Sequence, residues 1–149
     1  MATFISHSPE ETLALGEAWG RLATTGWILG LSGDLGAGKT QLVRGVARGL
    51  GVTSRVQSPS FALVHEYREG RLPLAHLDLY RLDTPAQVVA AGLEQYLTAP
   101  EGIAVIEWVE RWPDLFLPGS VRKQTRLRRV SIESMGETDR RIVYEDSGP

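Results

Sequence analysis

Hydrophobic residues recur at helical spacing in two segments within the first fifty residues. Before the first segment, Ser8 is a cap residue, Pro9 takes the first helical position, and Glu11 follows the cap by three residues. This combination starts a helix. The apolar stripe predicted for this helix consists of Leu15, Ala18, Trp19 and Leu22.

The second helical segment begins at Thr40 and is more clearly amphipathic. Arg44 and Arg48 lie opposite its apolar face, and Gly51 follows at the position of a C-terminal cap glycine. A third helical segment is predicted over residues 84–97. The apolar face of the second helix consists of Leu42, Val43, Val46, Ala47 and Leu50.

Short apolar runs between these helices predict strands that are covered on both faces. A turn is expected at residues 69–70, and residues 130–132 and 142–144 around Gly136 predict a C-terminal hairpin. Helices that alternate with buried strands favour an α/β fold with a mixed, mainly parallel central sheet. The runs lie at residues 27–32, 61–64, 72–77 and 103–106.

Composition narrows the class of protein. The chain has 149 residues, a net charge of -2 and 42% hydrophobic residues, which fits a single soluble domain over residues 1–149. It contains no cysteine, so disulfides, thiolate nucleophiles and cysteine-based zinc sites are excluded. No apolar run reaches the roughly 18 residues of a membrane span, and no signal-peptide pattern opens the chain. We therefore expect a cytoplasmic protein that has no contact with a membrane.

A glycine-rich loop lies between the run at residues 27–32 and the helix that begins at Thr40. It matches the phosphate-binding pattern G-x-x-x-x-G-K-[ST] at every position. In such a loop, backbone N–H groups and the positive end of the helix dipole face a phosphate, while Lys39 adds a mobile charge and the Thr40 hydroxyl binds Mg²⁺. The loop predicts a P-loop NTPase-like domain of three layers. Its residues are Gly33, Asp34, Leu35, Gly36, Ala37, Gly38, Lys39 and Thr40.

A phosphate site of this kind also needs an acid that holds the metal ion or its water ligands, normally at the carboxyl end of a neighbouring strand. Two residues fit this position. Asp78 follows the run at residues 72–77, and Glu107 follows the run at residues 103–106. Either residue can order Mg²⁺ while the other positions the attacking water. The structural alternative for each residue is a carboxylate exposed to solvent at a strand end.

Other candidate residues have an ordinary structural explanation. The Ser60 hydroxyl fits a nucleotide-sensing loop or a simple turn that enters a strand. His76 is expected to be a packed histidine, although it can meet His65 in a hairpin. Three aromatic residues are expected in the core or at its rim rather than on a stacking platform. They are Tyr80, Trp108 and Trp112.

The class of nucleotide and of reaction follows from two other features. The GTPase signature Asn-Lys-x-Asp is absent, since Lys123, the only lysine besides Lys39, precedes Gln124, and this favours ATP. Residues 122–129 carry five basic residues and no acid. Their alternation with apolar residues is more typical of an exposed strand than of the arginine-rich lid of a small-molecule kinase. A solvated strand face and a docking patch for protein or RNA remain as alternatives.

Four motifs in a fixed order closely resemble the bacterial TsaE (YjeE) family, and the likeness runs from the first helix to about residue 118. They are the loop at residues 33–40, the turn at 58–61, His-Leu-Asp-Leu-Tyr-Arg at 76–81, and Ile-Glu-Trp-Val-Glu at 106–110. The resemblance implies a small P-loop ATPase of the tRNA threonylcarbamoyladenosine pathway. In that family TsaD, together with TsaB, transfers the threonylcarbamoyl group, and TsaE supports turnover by hydrolysing ATP without transferring the group itself.

The resemblance also implies roles for individual residues. Lys39 and Thr40 would bind phosphates and Mg²⁺, while Asp78 and Glu107 would serve the metal ion and the water. Ser60, where the family commonly has threonine, would lie in the nucleotide-responsive loop. Trp108 would lie beside the site. Gln41 takes the place of a second threonine that often follows the loop.

These observations lead to an Mg²⁺-dependent ATPase whose nucleotide state controls its docking to TsaD and TsaB. Hydrolysis by the chain alone is expected to be slow, because among its arginines only Arg81 is clearly placed to stabilise charge on the transferring phosphate. The basic segment leaves direct contact with tRNA open. The alternatives are a small-molecule kinase and a nucleotide-gated binding module without significant hydrolysis.

Overall fold

A computed structural model describes residues 1–34, 37–59, 62–109 and 126–147 of the chain. The strands are β1 (Ala2–Ser6), β2 (Ile28–Ser32), β3 (Val64–Tyr67), β4 (Leu74–Asp78), β5 (Ile103–Glu107), β6 (Leu127–Ser134) and β7 (Arg140–Ser147). The helices are α1 (Pro9–Leu22), α2 (Lys39–Leu50), α3 (Pro85–Ala90) and α4 (Glu94–Thr98).

Within the described residues, the seven strands form one mixed sheet in the order β1-β7-β6-β2-β5-β4-β3. The four central strands, from β6 to β4, pair in parallel. At the edges, β1, β7 and β3 each run antiparallel to their neighbours. The mixed α/β sheet and the C-terminal hairpin are confirmed, with parallel pairing confined to the centre.

Helices cover both faces of the central strands. Along β5, Ile103 and Val105 pack with residues of α1 and α2, whereas Ala104 and Ile106 pack with residues of α3 and α4. Successive side chains on a strand point to opposite faces, so both sets are buried. This is why the central strands are continuous apolar runs in the sequence.

The contact between α1 and α2 is made through glycines. A Cβ atom on Gly16 or Gly20 of α1 would overlap carbonyl oxygens of α2, and one on Gly45 or Gly49 of α2 would overlap carbonyl oxygens of α1. The backbones of the two helices are therefore in direct contact. This contact fixes the position of α2, whose first residues adjoin the glycine-rich loop.

The predicted apolar stripe of α1 is wrong at two of its four positions, Ala18 and Leu22. Trp19 is buried, but Leu22 is 77% exposed and Ala18 is also exposed, while Leu15 is only partly buried. The buried face includes glycines at the positions where the backbone of α2 leaves no room for a side chain. Its members are Thr12, Gly16, Trp19 and Gly20. The predicted start at Ser8 is confirmed, since its hydroxyl accepts a hydrogen bond from the Glu11 N–H.

The predicted third helical segment, residues 84–97, is divided in two. Gly92, with φ of +76°, separates α3 from α4. The predicted strand at residues 61–64 instead begins at Val64, because Leu63 has a left-handed φ of +69° that breaks the extended backbone. The predicted meeting of His65 and His76 is confirmed, as they are register partners in β3 and β4.

The described part of the basic segment forms the start of strand β6, as expected, and Arg129 is exposed there, but Arg128 is partly buried. β6 lies between β2 and β7, and the Arg128 guanidinium is 4.8 Å from the Trp19 ring centroid and 4.6 Å from that of Tyr144. It donates hydrogen bonds of 2.6 and 2.9 Å to Asp146, and these bonds hold the pKa of the Asp146 carboxyl below its usual value. Arg128 is therefore a packing residue. Residues 122–125 lie outside the described part.

Among the described residues, none of the helices combines the length and the apolar character needed to span a membrane.

The substitution Gly45→Ala tests the contact between α1 and α2. Alanine is favoured over glycine by about 1 kcal/mol in a helix interior, but here its methyl group would overlap the Leu13 carbonyl oxygen. We expect the overlap to prevail and to lower the free energy of unfolding by about 1–3 kcal/mol, as measured by urea denaturation. Ala18→Leu, at an exposed position of α1, is the control and should change it by less than about 0.5 kcal/mol. Equal stability of the Gly45→Ala chain would contradict the close approach.

Candidate functional site

Three parallel strands end at one edge of the sheet and bring the predicted acids to the glycine-rich loop. β5 lies between β2 and β4, and Glu107 is in register with Leu31 on one side and with Asp78 on the other. The loop leaves β2 at this edge, and α2 follows it. Of the predicted site residues, Leu35, Gly36 and Ser60 lie outside the described residues, as does Trp112.

The loop requires glycine at its two ends. Gly33 and Gly38 have φ of +143° and +104°, and a Cβ atom on Gly33 would press against the Ile132 carbonyl oxygen of β6. Within the loop, the Ala37 N–H donates to the Asp34 carbonyl oxygen at 3.0 Å. Helix α2 then begins without a side-chain cap and without an acidic residue in its first turn. Because the first N–H groups of a helix have no acceptor within it, this end of α2 favours an anion.

The Lys39 ammonium is held inside the site. Lys39 is 5% exposed, and its Nζ donates to the Gly33 carbonyl oxygen and, at 3.4 Å, to that of Asp34. It also lies 3.6 Å from the centroid of the Trp108 ring, a cation–π distance. The positive charge is thus retained at the loop by neutral acceptors and an aromatic face, all of which an anionic ligand can replace.

Trp108 is placed by an unusual backbone conformation. It follows Glu107 directly and has φ of +67°, which is an outlier for a bulky residue. Its ring lies 4.9 Å from that of the half-exposed Tyr80, centroid to centroid. Left-handed backbone at a non-glycine residue costs about 1–3 kcal/mol and is concentrated at functional sites. Trp108 is therefore a residue of the site, with Tyr80 at its rim.

The two acids are both buried but have different partners. Asp78 is 4% exposed, and its Oδ1 accepts a hydrogen bond of 2.9 Å from the Tyr80 N–H. Glu107 is 3% exposed, and its Oε2 lies 2.5 Å from the His76 Nε2. The alternative, a solvent-exposed carboxylate, is wrong for both residues. Each carboxylate is buried at the carboxyl end of its strand.

His76 was expected to be an ordinary packed histidine, and the structure corrects this in part. It is fully buried, but its Nε2 binds Glu107. The sequence contains one indication of this contact. Side chains alternate between the two faces of a strand, so His76 lies on the same face of β4 as Asp78. The contact with Glu107 spans 31 positions of the chain and needs the strand order as well.

Arg140 is a second residue that the sequence did not reveal. From the start of β7, its Nε donates to the Ala37 carbonyl oxygen at 3.1 Å, and its Nη1 donates to the carbonyl oxygens of Gly136 at 3.0 Å and Asp139 at 2.9 Å. It therefore joins the C-terminal hairpin to the glycine-rich loop across 103 positions. No motif marks such a contact.

The remaining predicted residues lie in the first turn of α2. Thr40 is partly buried there. The Gln41 side chain donates from Nε2 to the Pro9 carbonyl oxygen at 3.1 Å, so this amide is directed to α1. Gln41 is thus positioned to contribute its backbone N–H rather than its side chain.

Among the described residues, no group of three or more His, Asp or Glu side chains is arranged to hold a metal ion.

Comparison with known proteins places the chain among relatives of one kind. The family model "Threonylcarbamoyl adenosine biosynthesis protein TsaE" matches residues 6–142. The chain is 51% identical over 107 residues to the tRNA threonylcarbamoyladenosine biosynthesis protein TsaE of a Nostoc species, covering 70% of this chain and 65% of the relative. The chain thus spans slightly less than two thirds of that relative.

A Bacillus subtilis relative and a crystal structure from the same organism are each similar over almost the whole chain. The protein of the same name from that organism is 38% identical over 141 residues, which cover 95% of this chain and 83% of the relative. A crystal structure of B. subtilis YdiB is 29% identical, with a TM-score of 0.72, and covers 99% of this chain and 86% of YdiB.

Arg140→Gln tests whether the hairpin supports the loop. Loss of a hydrogen bond worth about 0.5–1.5 kcal/mol should raise amide hydrogen exchange over residues 37–42 by roughly 2- to 10-fold, measured by mass spectrometry. Arg141→Gln is the matched control, because Arg141 pairs instead with Glu133, at 2.6 Å on the surface of the hairpin. Equal exchange in the two variants would show that Arg140 does not support the loop.

Proposed function

Because the chain belongs to the TsaE family of threonylcarbamoyl adenosine biosynthesis proteins, we propose that it is a small Mg²⁺-dependent P-loop ATPase that supports tRNA threonylcarbamoyladenosine modification. In this proposal it hydrolyses ATP to ADP and phosphate and does not transfer the threonylcarbamoyl group itself. Its partners are the proteins TsaD and TsaB, and its nucleotide state controls docking to them.

The observation that carries the proposal is the meeting of one buried cation and two buried carboxylates at the start of α2. Lys39, Asp78 and Glu107 are each no more than 5% exposed. Asp78 and Glu107 end neighbouring strands in register, and the Lys39 ammonium at the start of α2 lies against the ring of Trp108, the residue after Glu107. A phosphate group is recognised by backbone N–H groups, a helix N-terminus and a lysine. Two carboxylates beside them supply the other half of a phosphoryl-transfer site.

The donor set fits magnesium. The Thr40 hydroxyl, the Asp78 carboxylate and the Glu107 carboxylate are hard oxygen ligands, which Mg²⁺ prefers, and Mg²⁺ usually takes its other ligands from phosphates and water. When bound, Mg²⁺ would be held by these oxygens and would neutralise part of the charge on the phosphates. Glu107 lies one strand from β2 and Asp78 lies two strands away.

The residues of the chain then have separate roles in hydrolysis. The loop amides and Lys39 bind the triphosphate, and Lys39 leaves the Gly33 and Asp34 carbonyl oxygens to do so. One carboxylate orients the water that attacks the γ-phosphorus, and ADP leaves with the β–γ bridging oxygen. The other carboxylate holds the metal ion or its water ligands. Trp108 covers the Lys39 side of the site and limits access of bulk water.

Hydrolysis by the chain alone should be slow. Arg140 is already bonded to at least four backbone carbonyl oxygens, and Arg81 lies in the exposed turn after β4. An arginine that stabilises the transition state raises turnover by roughly 10³–10⁵ in related nucleotide hydrolases. We propose that a partner supplies such a group or orders the site, so turnover without it stays below the range of about 1–100 per second that is typical of kinases.

Lys39→Ala tests phosphate binding. Loss of a charged hydrogen-bond donor costs about 1.5–3 kcal/mol, so Kd for Mg·ATP should rise roughly 10- to 100-fold by isothermal titration calorimetry. Arg48→Ala removes a cation from the opposite end of α2, where Arg48 is 66% exposed, and serves as the control. Equal Kd values for Lys39→Ala and the unmodified chain would exclude phosphate binding by the loop.

Asp78→Asn and Glu107→Gln separate the two carboxylate roles. The variant that loses the water-orienting group should bind Mg·ATP normally and hydrolyse it roughly 10²- to 10⁴-fold more slowly. The variant that loses a metal ligand should need more Mg²⁺ for half-maximal hydrolysis. If neither variant changes the rate or the Mg²⁺ dependence, the carboxylates have no part in the reaction.

The reaction product distinguishes the alternative functions. A phosphorylated small molecule in place of free phosphate would indicate a kinase, and tight binding without turnover would indicate a nucleotide-gated binding module.

The partner proposal has its own test. A tagged chain incubated in cell lysate should retain TsaD and TsaB with a non-hydrolysable ATP analogue present and lose them with ADP. Lys39→Ala should retain neither under either condition. Equal retention with both nucleotides would contradict control by the nucleotide state.

A further inference from the structure

His76 is the only fully buried histidine among the described residues, and it has one partner there. Its relative exposure is 0%, its Nε2 lies 2.5 Å from the Glu107 Oε2, and its Nδ1 has no hydrogen-bond partner among the described residues. A buried polar atom without a partner costs free energy, which an apolar side chain at this position would avoid. The contact with Glu107 is therefore the feature that a histidine adds here.

The hydrogen bonding defines the form of the imidazole ring. A carboxylate accepts hydrogen bonds, so the proton of this contact lies on the His76 Nε2. A proton on Nδ1 would be buried without an acceptor among the described residues. The tautomer with its proton on Nε2 therefore matches the contacts on both sides of the ring.

The strand register explains why His76 reaches Glu107 and not another acid. His76 is the register partner of Val105 in the parallel pair of β4 and β5, and Glu107 lies two residues further along β5 on the same face. Diagonal neighbours on one face of a sheet are within reach of long side chains. Asp78, on the same strand as His76, instead accepts the Tyr80 N–H.

We propose that His76 is a positioning residue for Glu107: its Nε2–H holds Oε2 and thereby directs the other carboxylate oxygen, Oε1, towards the bound nucleotide. This inference rests on the ATPase function proposed above. His76 touches neither the nucleotide nor the metal ion and acts only through Glu107. Groups that orient a ligand or a catalytic carboxylate in this way typically change activity 10- to 100-fold when removed.

The first test does not depend on ATP hydrolysis. In the ¹⁵N-labelled chain without nucleotide, a long-range ¹H–¹⁵N correlation spectrum reports which ring nitrogen carries the proton. The His76 signals are identified by their loss in His76→Gln. We expect a single tautomer protonated at Nε2. A ring protonated at Nδ1, or averaged between the two tautomers, would overturn the proposal.

The second test uses a graded set of variants. The Gln side-chain amide can place an N–H near the position of the imidazole Nε2, whereas the shorter Asn amide cannot. His76→Leu and His76→Asn should lower kcat by about 10- to 100-fold, while Kd for ATP without Mg²⁺ changes by less than about threefold. His76→Gln should recover most of kcat. His65→Gln, on the neighbouring strand β3, is the control and should leave kcat unchanged.

The outcomes distinguish the possible failures. Full kcat in His76→Leu, or equal kcat in His76→Gln and His76→Asn, would overturn the positioning role. If His76→Leu does not fold, the comparison of Gln with Asn decides the question. If the unmodified chain does not hydrolyse ATP, the proposed function fails, while the tautomer measurement still decides whether His76 holds Glu107.

Discussion

The site depends on the register in which three parallel strands are paired. Glu107 stands opposite Leu31 of β2 and Asp78 of β4, so both carboxylates reach the edge at which β2 passes into the loop. A slip of one residue would turn Glu107 to the other face of the sheet, towards α3 and α4. The same slip would remove Ile103 and Val105 from the core beneath α2, and the hydrophobic effect therefore fixes the site.

The charged side chains gathered at this edge have hydrogen-bond partners within the chain. Lys39 is bonded to backbone carbonyl oxygens, Asp78 accepts a backbone N–H, and Glu107 is held by His76. A buried polar group costs free energy unless it is hydrogen-bonded. A phosphate oxygen is a stronger acceptor for an ammonium than a neutral carbonyl oxygen. A charged ligand can thus displace the internal contacts of Lys39 without leaving the cation unpaired.

Features encoded by neighbouring residues could be predicted from the sequence. Local pattern predicts the strand before the loop and the start of α2, together with its C-terminal cap at Gly51. It also predicts that Asp78 and Glu107 lie at strand ends. Contacts between distant segments could not be predicted, because they depend on how the strands and helices are arranged in space. His76 with Glu107 and Arg140 with Ala37 are of this kind. The buried face of α1 was predicted only in part, because glycines carry no hydrophobic signal and form the contact with α2.

The most direct measurement of the central claim is a crystal structure of the full chain with Mg²⁺ and a non-hydrolysable ATP analogue. The account predicts a triphosphate cradled by residues 33–40, with the Lys39 Nζ moved from the Gly33 and Asp34 carbonyl oxygens onto phosphate oxygens. Mg²⁺ should lie between the phosphates and the carboxyl ends of β4 and β5. A nucleotide bound elsewhere, with Lys39 still on those carbonyl oxygens, would contradict the account.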